Sequence, residues 1–138
     1  MRLFFVSFVA LWEINMKIRI KGSSIRYRLT KTEIANFGKN GYLEERTEFV
    51  NEAVFYYCLE RKPGIENLQA SFLNNRITVF VPEGITEEWT VTDRVGYNNT
   101  IQLGNGKELF LLIEKDFVCL DHTFEDQSDN YPNPNKTC

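Results

Sequence analysis

A strand–turn–strand–helix pattern occurs twice in this chain and limits the folds open to it. Ile18 and Ile20, then Ile25, Tyr27 and Leu29, alternate with Lys17, Arg19, Lys21, Arg26 and Arg28. Period-two alternation is what a strand with one buried and one wet face requires. Gly22–Ser23 between the two runs supplies turn chemistry. Thr30–Lys31–Thr32–Glu33 then reads as a capping box, in which the Thr30 hydroxyl and the Glu33 carboxylate each satisfy a backbone N–H at a helix start. Ile34 and Phe37 face inward from that helix, and Asn40–Gly41 suits its end. Residues 42–49 and 53–60 complete the unit as two strands. The second, Val54 to Leu59, is apolar on both faces and belongs in the middle of a sheet.

Sliding the chain by 52 positions lays Leu68–Tyr97 under Met16–Glu45. Ile25, Tyr27 and Leu29 fall on Ile77, Val79 and Val81, Gly22–Ser23 on Asn74–Asn75, Thr30 on Pro82 and Phe37 on Trp89. With a shift of 54, Phe55, Tyr57 and Leu59 fall on Leu109, Leu111 and Ile113. The pattern predicts an α+β fold: a mostly antiparallel sheet or barrel-like structure built from two ββαββ pseudo-repeats, each with one short helix. The repeats are residues 16–61 and 68–115, joined at Pro63–Gly64, within a single domain of residues 16–118 that is followed by an acidic tail, 119–138. The second helix is expected around Thr86–Trp89.

With 43% apolar and 14% aromatic residues, 138 residues suffice for one domain with a real core. A net charge of −3 argues against a surface that binds nucleic acid all round, and an odd count of three cysteines fits a reducing, cytoplasmic setting. Residues 1–15 carry an apolar run from Leu3 to Trp12, about half the roughly 20 residues a bilayer span needs. The run ends at Glu13 with no small-x-small cleavage pair. We expect Met16 to be the physiological start and residues 1–15 a non-native extension; an export signal and a docked apolar arm are the alternatives. No membrane partner is expected.

The first candidate site is the basic face of the opening hairpin: Lys17, Arg19, Lys21, Arg26 and Arg28. Their counterparts in the second unit, Gln69, Ser71, Leu73, Thr78 and Phe80, carry no charge, so the fold does not demand cations there. From Met16 to Arg46 eight Lys and Arg face three Glu. Such a stripe suits an acidic protein or an anionic ligand, and less well a nucleic acid, because Tyr27 belongs to the inward set and leaves no stacking platform. The plainer alternative is a solvated strand face whose charges blunt edge pairing. From Glu114 onward six Asp and Glu face two Lys, which suggests that the acidic end lies near the basic hairpin.

The second candidate is a metal site of Cys119, His122 and Cys138. Cys-x-x-His with a later Cys offers three soft or borderline ligands for zinc, and Asp121, Asp126 or Asp129 could complete a tetrahedron. A Cys119–Cys138 disulfide and unligated side chains are the alternatives. His122 is the only histidine, and no serine elbow, phosphate-cradling glycine loop or paired-carboxylate spacing accompanies it, so no catalytic residue is assigned and a non-enzymatic role is expected. Cys58 aligns with Leu112 and reads as a small core residue.

Two resemblances add to this. Ile77–Thr78–Val79–Phe80–Val81–Pro82 with Thr92–Asp93–Arg94–Val95 resembles the strand–Pro–helix pattern of swapped-hairpin barrels such as the AbrB family of DNA-binding regulators, which implies a compact duplicated β structure. Lys17 to Gly22, Tyr42 to Thr47, Glu114 to Leu120 and Tyr131–Pro132–Asn133–Pro134 together resemble a small bacterial family known only as a domain of unknown function. That likeness implies a cytoplasmic bacterial protein. Taken together, a small cytoplasmic binding or adaptor domain that uses the basic hairpin is expected, with metal binding or small-metalloenzyme chemistry and nucleic-acid binding as alternatives.

Overall fold

The structure is a computed structural model and describes residues 16–117, 128–132 and 134. The expectations for residues 1–15 and for most of the tail lie outside the described residues. The elements follow in the order β1 (Lys17–Lys21), β2 (Ser24–Leu29), α1 (Lys31–Asn40), β3 (Tyr42–Glu48), β4 (Val54–Lys62), β5 (Gln69–Leu73), β6 (Arg76–Pro82), α2 (Glu83–Glu88), β7 (Gly96–Gly104) and β8 (Lys107–Lys115). The fold is α+β, and the order ββαββ occurs twice, with a 3-10 turn at Trp89–Val91 prolonging α2.

The strands form two four-stranded sheets, in the orders β1-β2-β8-β7 and β3-β4-β6-β5. Each sheet therefore takes one hairpin from residues 16–61 and one from residues 68–115. Within hairpins the pairing is antiparallel, and the seams β2–β8 and β4–β6 are parallel. The registers correspond pair by pair. Lys17↔Arg28 is matched by Gln69↔Phe80, Leu43↔Leu59 by Tyr97↔Ile113, and the seam pair Ser24↔Phe110 by Arg76↔Tyr56.

One hydrophobic core serves both sheets. Tyr27, Leu29, Leu111 and Ile113 from one meet Leu59, Ile77, Val79 and Val81 from the other, with Ile34, Phe37 and Trp89 closing it from the helical segments. The buried Tyr27 crosses between the layers: its hydroxyl donates to the Ile77 carbonyl at 3.3 Å and its ring meets Tyr57 edge-on at 5.9 Å. Polar bolts tie the start of β1 and the residue before β5 to the opposite sheet. Tyr57 OH donates to the Met16 carbonyl at 2.7 Å, and Asn99 Nδ2 to the Leu68 carbonyl at 2.9 Å.

Helix α1 begins as the capping box requires. Thr30 N–H donates to Glu33 Oε1 at 2.9 Å, and Glu33 N–H to Thr30 Oγ1 at 3.3 Å. It stops at Gly41, whose φ of 74° lies in the left-handed region that only glycine enters without strain, and whose N–H closes on the Phe37 carbonyl.

Candidate functional site: the basic hairpin face

β1 is an edge strand, and its alternation puts Lys17, Arg19 and Lys21 on the face shared with Arg26 and Arg28 of β2. The antiparallel register sets Lys17 opposite Arg28 and Arg19 opposite Arg26. Directly opposed like charges destabilise a ladder. Two carboxylates from the far end of the chain offset them. The parallel seam makes Glu114 the register partner of Arg28, and Glu114 Oε2 stands 2.8 Å from Arg28 Nε and 3.4 Å from Arg26 Nε. Asp116, fixed by its backbone N–H on the Leu29 carbonyl, places Oδ2 3.0 Å from Lys17 Nζ and is 5% exposed. Arg19 and Lys21 pair with no carboxylate among the described residues. Lys17, Ile18, Arg19, Arg26 and Arg28 line a depression of about 290 Å³. Four of its five lining residues are cations, an arrangement able to hold negative charge.

The five cations singled out from the sequence are thus one surface, which Glu114 of β8 and Asp116 just beyond it meet; most of the acidic tail, 119–138, lies outside the described residues. Asp129 goes elsewhere. Its backbone carbonyl accepts from Lys31 N–H at 3.1 Å and its Oδ1 from the Thr32 hydroxyl at 3.0 Å, at the start of α1. Beside it, burial raises the Glu33 carboxyl to about 7, with the charges of Glu45 and Asp129 adding to the effect and the Thr30 hydrogen bonds opposing it. Cys119, His122 and Cys138 lie outside the described residues, as do Asp121 and Asp126. Among the described residues no three His, Cys, Asp or Glu side chains are placed to hold a metal ion.

The outward face of the other sheet carries a polar cluster that sequence reasoning missed. Arg76 Nη1 donates to Glu44 Oε1 at 2.6 Å, to Tyr42 OH at 3.0 Å and to Cys58 Sγ at 2.8 Å, while Tyr42 OH donates to Glu44 Oε1 at 2.7 Å. The guanidinium also covers the Tyr56 ring at 4.3 Å. Arg76 holds the Glu44 carboxyl below its ordinary value, and burial raises the Tyr42 phenol. Cys58 is fully buried, as expected of a small core residue, and it sits beneath this polar lid. Tyr42 and Glu44, and likewise Tyr56 and Cys58, share one face by alternation, which the sequence displays. The position of Arg76 depends on the parallel β4–β6 seam, which alternation does not encode.

Among the described residues no helix is long and apolar enough to cross a membrane. No curated protein and no solved structure matches the chain. The model of a family of unknown function, DUF7009, matches residues 16–135, which takes in both sheets and the basic face, and the chain belongs to that family.

Proposed function

We propose that this chain is a small binding module that seats an acidic segment of a partner protein on the face formed by β1, β2 and the end of β8. The supporting observation is an imbalance. Five cations share the face, Glu114 and Asp116 answer Arg26, Arg28 and Lys17, and among the described residues no carboxylate answers Lys21 or Arg19, the latter lining the depression. The two internal carboxylates are themselves acidic side chains held by these cations, which supports the reading. Charge complementarity of this kind speeds encounter and selects partners more than it adds raw affinity.

Nucleic acid is the weaker reading, because Tyr27 is fully buried and the depression has no aromatic lining on which a base could stack. The corresponding registers of the two ββαββ units support an internal duplication, within which the first unit acquired or kept the cations. The exchange of hairpins between the units supports the likeness to swapped-hairpin barrels and carries no function with it. Titration of the protein with an Asp/Glu-rich peptide and with a single-stranded RNA of equal charge separates the readings: preference for the peptide upholds acidic-partner binding, and preference for the RNA overturns it.

A further inference from the structure

β5 occupies in its sheet the place that β1 occupies in the other, and the two edges are managed in opposite ways. β1 reads Lys-Ile-Arg-Ile-Lys, with a cation at every second position; β5 reads Gln-Ala-Ser-Phe-Leu and carries no charge, no proline and no bulge. Cations on an edge strand deter pairing with another chain, and an uncharged apolar edge invites it. On β5, Phe72 is 65% and Leu73 69% exposed.

The register of β5 specifies what fits. The two-residue turn Asn74–Asn75, with both φ values positive, makes Leu73↔Arg76 the closing pair of the hairpin. Alternation along the antiparallel ladder then directs the backbone groups of Leu73, Ser71 and Gln69 toward β6, and those of Phe72 and Ala70 toward the free edge. At Leu68 the edge is already closed by the Asn99 carboxamide. Two free residues remain, and they complement each other. Antiparallel pairing about a two-fold axis at Ser71 sets Ala70 opposite the partner's Phe72 and Phe72 opposite the partner's Ala70. A cleft of about 440 Å³, lined by Leu68, Ala70 and Ile101 and by the polar Glu66, Asn67, Gln69 and Asn99, lies beside Ala70 and has room for an incoming phenyl ring.

We propose that β5 is a homodimerisation edge: a second copy of this chain adds its own β5 antiparallel about Ser71, which makes one eight-stranded sheet and plugs each Phe72 into the other copy's cleft at Ala70. The match of small Ala70 to large Phe72 across the two-fold, and the absence of charge on β5 itself, select a second copy. The same pairing of two β1 strands would set Arg19 against Arg19 and Lys17 against Lys21.

The test is sedimentation equilibrium of the full chain at micromolar concentrations, with Phe72→Glu and Ser71→Cys variants. The expected result is a species of twice the 16.2 kDa chain mass, reduced to the monomer by Phe72→Glu. Ser71 stands opposite its own copy in a non-hydrogen-bonded pair, where Cα atoms about 4.5 Å apart permit a disulfide. Oxidised Ser71→Cys should therefore yield a covalent dimer joined at position 71, as read by mass spectrometry of the linked peptide, whatever the folding of the Phe72 variant. A wild-type chain that stays monomeric, or a dimer that neither responds to Phe72→Glu nor cross-links at position 71, overturns the proposal.

Discussion

Arg28 and Glu114 are register partners across the parallel β2–β8 seam, and an ion pair of 2.8 Å joins these two residues, 86 positions apart in the chain. Glu114 is also the carboxylate that answers Arg26, so it separates two cations that would otherwise meet unscreened. Replacing Glu114 with Gln is expected to cost about 1 kcal/mol of stability at low salt, the upper part of the range for partly exposed pairs. The remaining repulsion should be screened by added salt. Denaturant melts at low and high ionic strength check this: the variant should approach the wild type at high salt, and a gap independent of salt would contradict the electrostatic role.

Glu33 gives the fold a pH dependence of defined sign. Its folded-state value near 7 lies above that of the unfolded chain, so the folded state holds the proton more tightly. This contribution is fully present below the ordinary carboxyl range and is lost as pH rises through about 7. At about 1.4 kcal/mol per pH unit of difference, the total is at most about 3 to 4 kcal/mol. Glu33→Gln keeps a capping-box side chain at the same place and should flatten the fall in stability between pH 5 and 7, measured as the denaturation midpoint against pH. An unchanged slope would remove Glu33 as its source.

Two glycines are expected to respond to alanine with opposite signs. A Cβ at Gly96 would collide with the Ile113 carbonyl and crowd Glu114 across the β7–β8 ladder, where backbone cannot yield cheaply. Gly96→Ala should cost about 3 kcal/mol, as overpacking does. A Cβ at Gly84, in α2, meets open space, and Gly84→Ala should gain up to about 1 kcal/mol from helix propensity. Thermal melts of the two variants distinguish the cases, and equal shifts would contradict the packing described for β7.

Cys58 is expected to resist alkylation in the folded protein because Arg76, Tyr42 and Glu44 cover it. Arg76→Ala removes the centre of that cover and should raise the rate of Cys58 modification by iodoacetamide several-fold, followed by mass spectrometry of the peptide that carries it. Equal rates in the two proteins would mean that the lid does not control access.

The alternation from Lys17 to Leu29 and the Thr30–Glu33 box announced their elements directly, because a strand's buried face and a helix's cap are local requirements written within a few residues. The choice of neighbours was not legible. Period-two patterning says that Leu29 and Arg28 face opposite ways but not that β8 lies alongside, so the Arg28–Glu114 pairing and the Arg76 cluster emerge only with the two parallel seams. Of the acidic residues toward the end of the chain, Glu114 and Asp116 meet the hairpin and Asp129 does not. That division, Asp116 at Lys17 and Asp129 at α1, goes with Tyr131 lying parallel to Phe117, its N–H donating to the Asp116 carbonyl.

Calorimetric titration with an Asp/Glu-rich peptide measures whether the basic face seats an acidic segment through Arg19 and Lys21, which no carboxylate answers among the described residues. Three proteins are compared: the wild type, a variant with Arg19→Gln and Lys21→Gln, and one with Arg26→Gln and Arg28→Gln. The expected result is a loss of about tenfold or more in affinity for the first variant, with a shallower salt dependence, and a smaller loss for the second, whose guanidinium groups Glu114 already engages. Equal affinity of the wild type and the Arg19/Lys21 variant would contradict it.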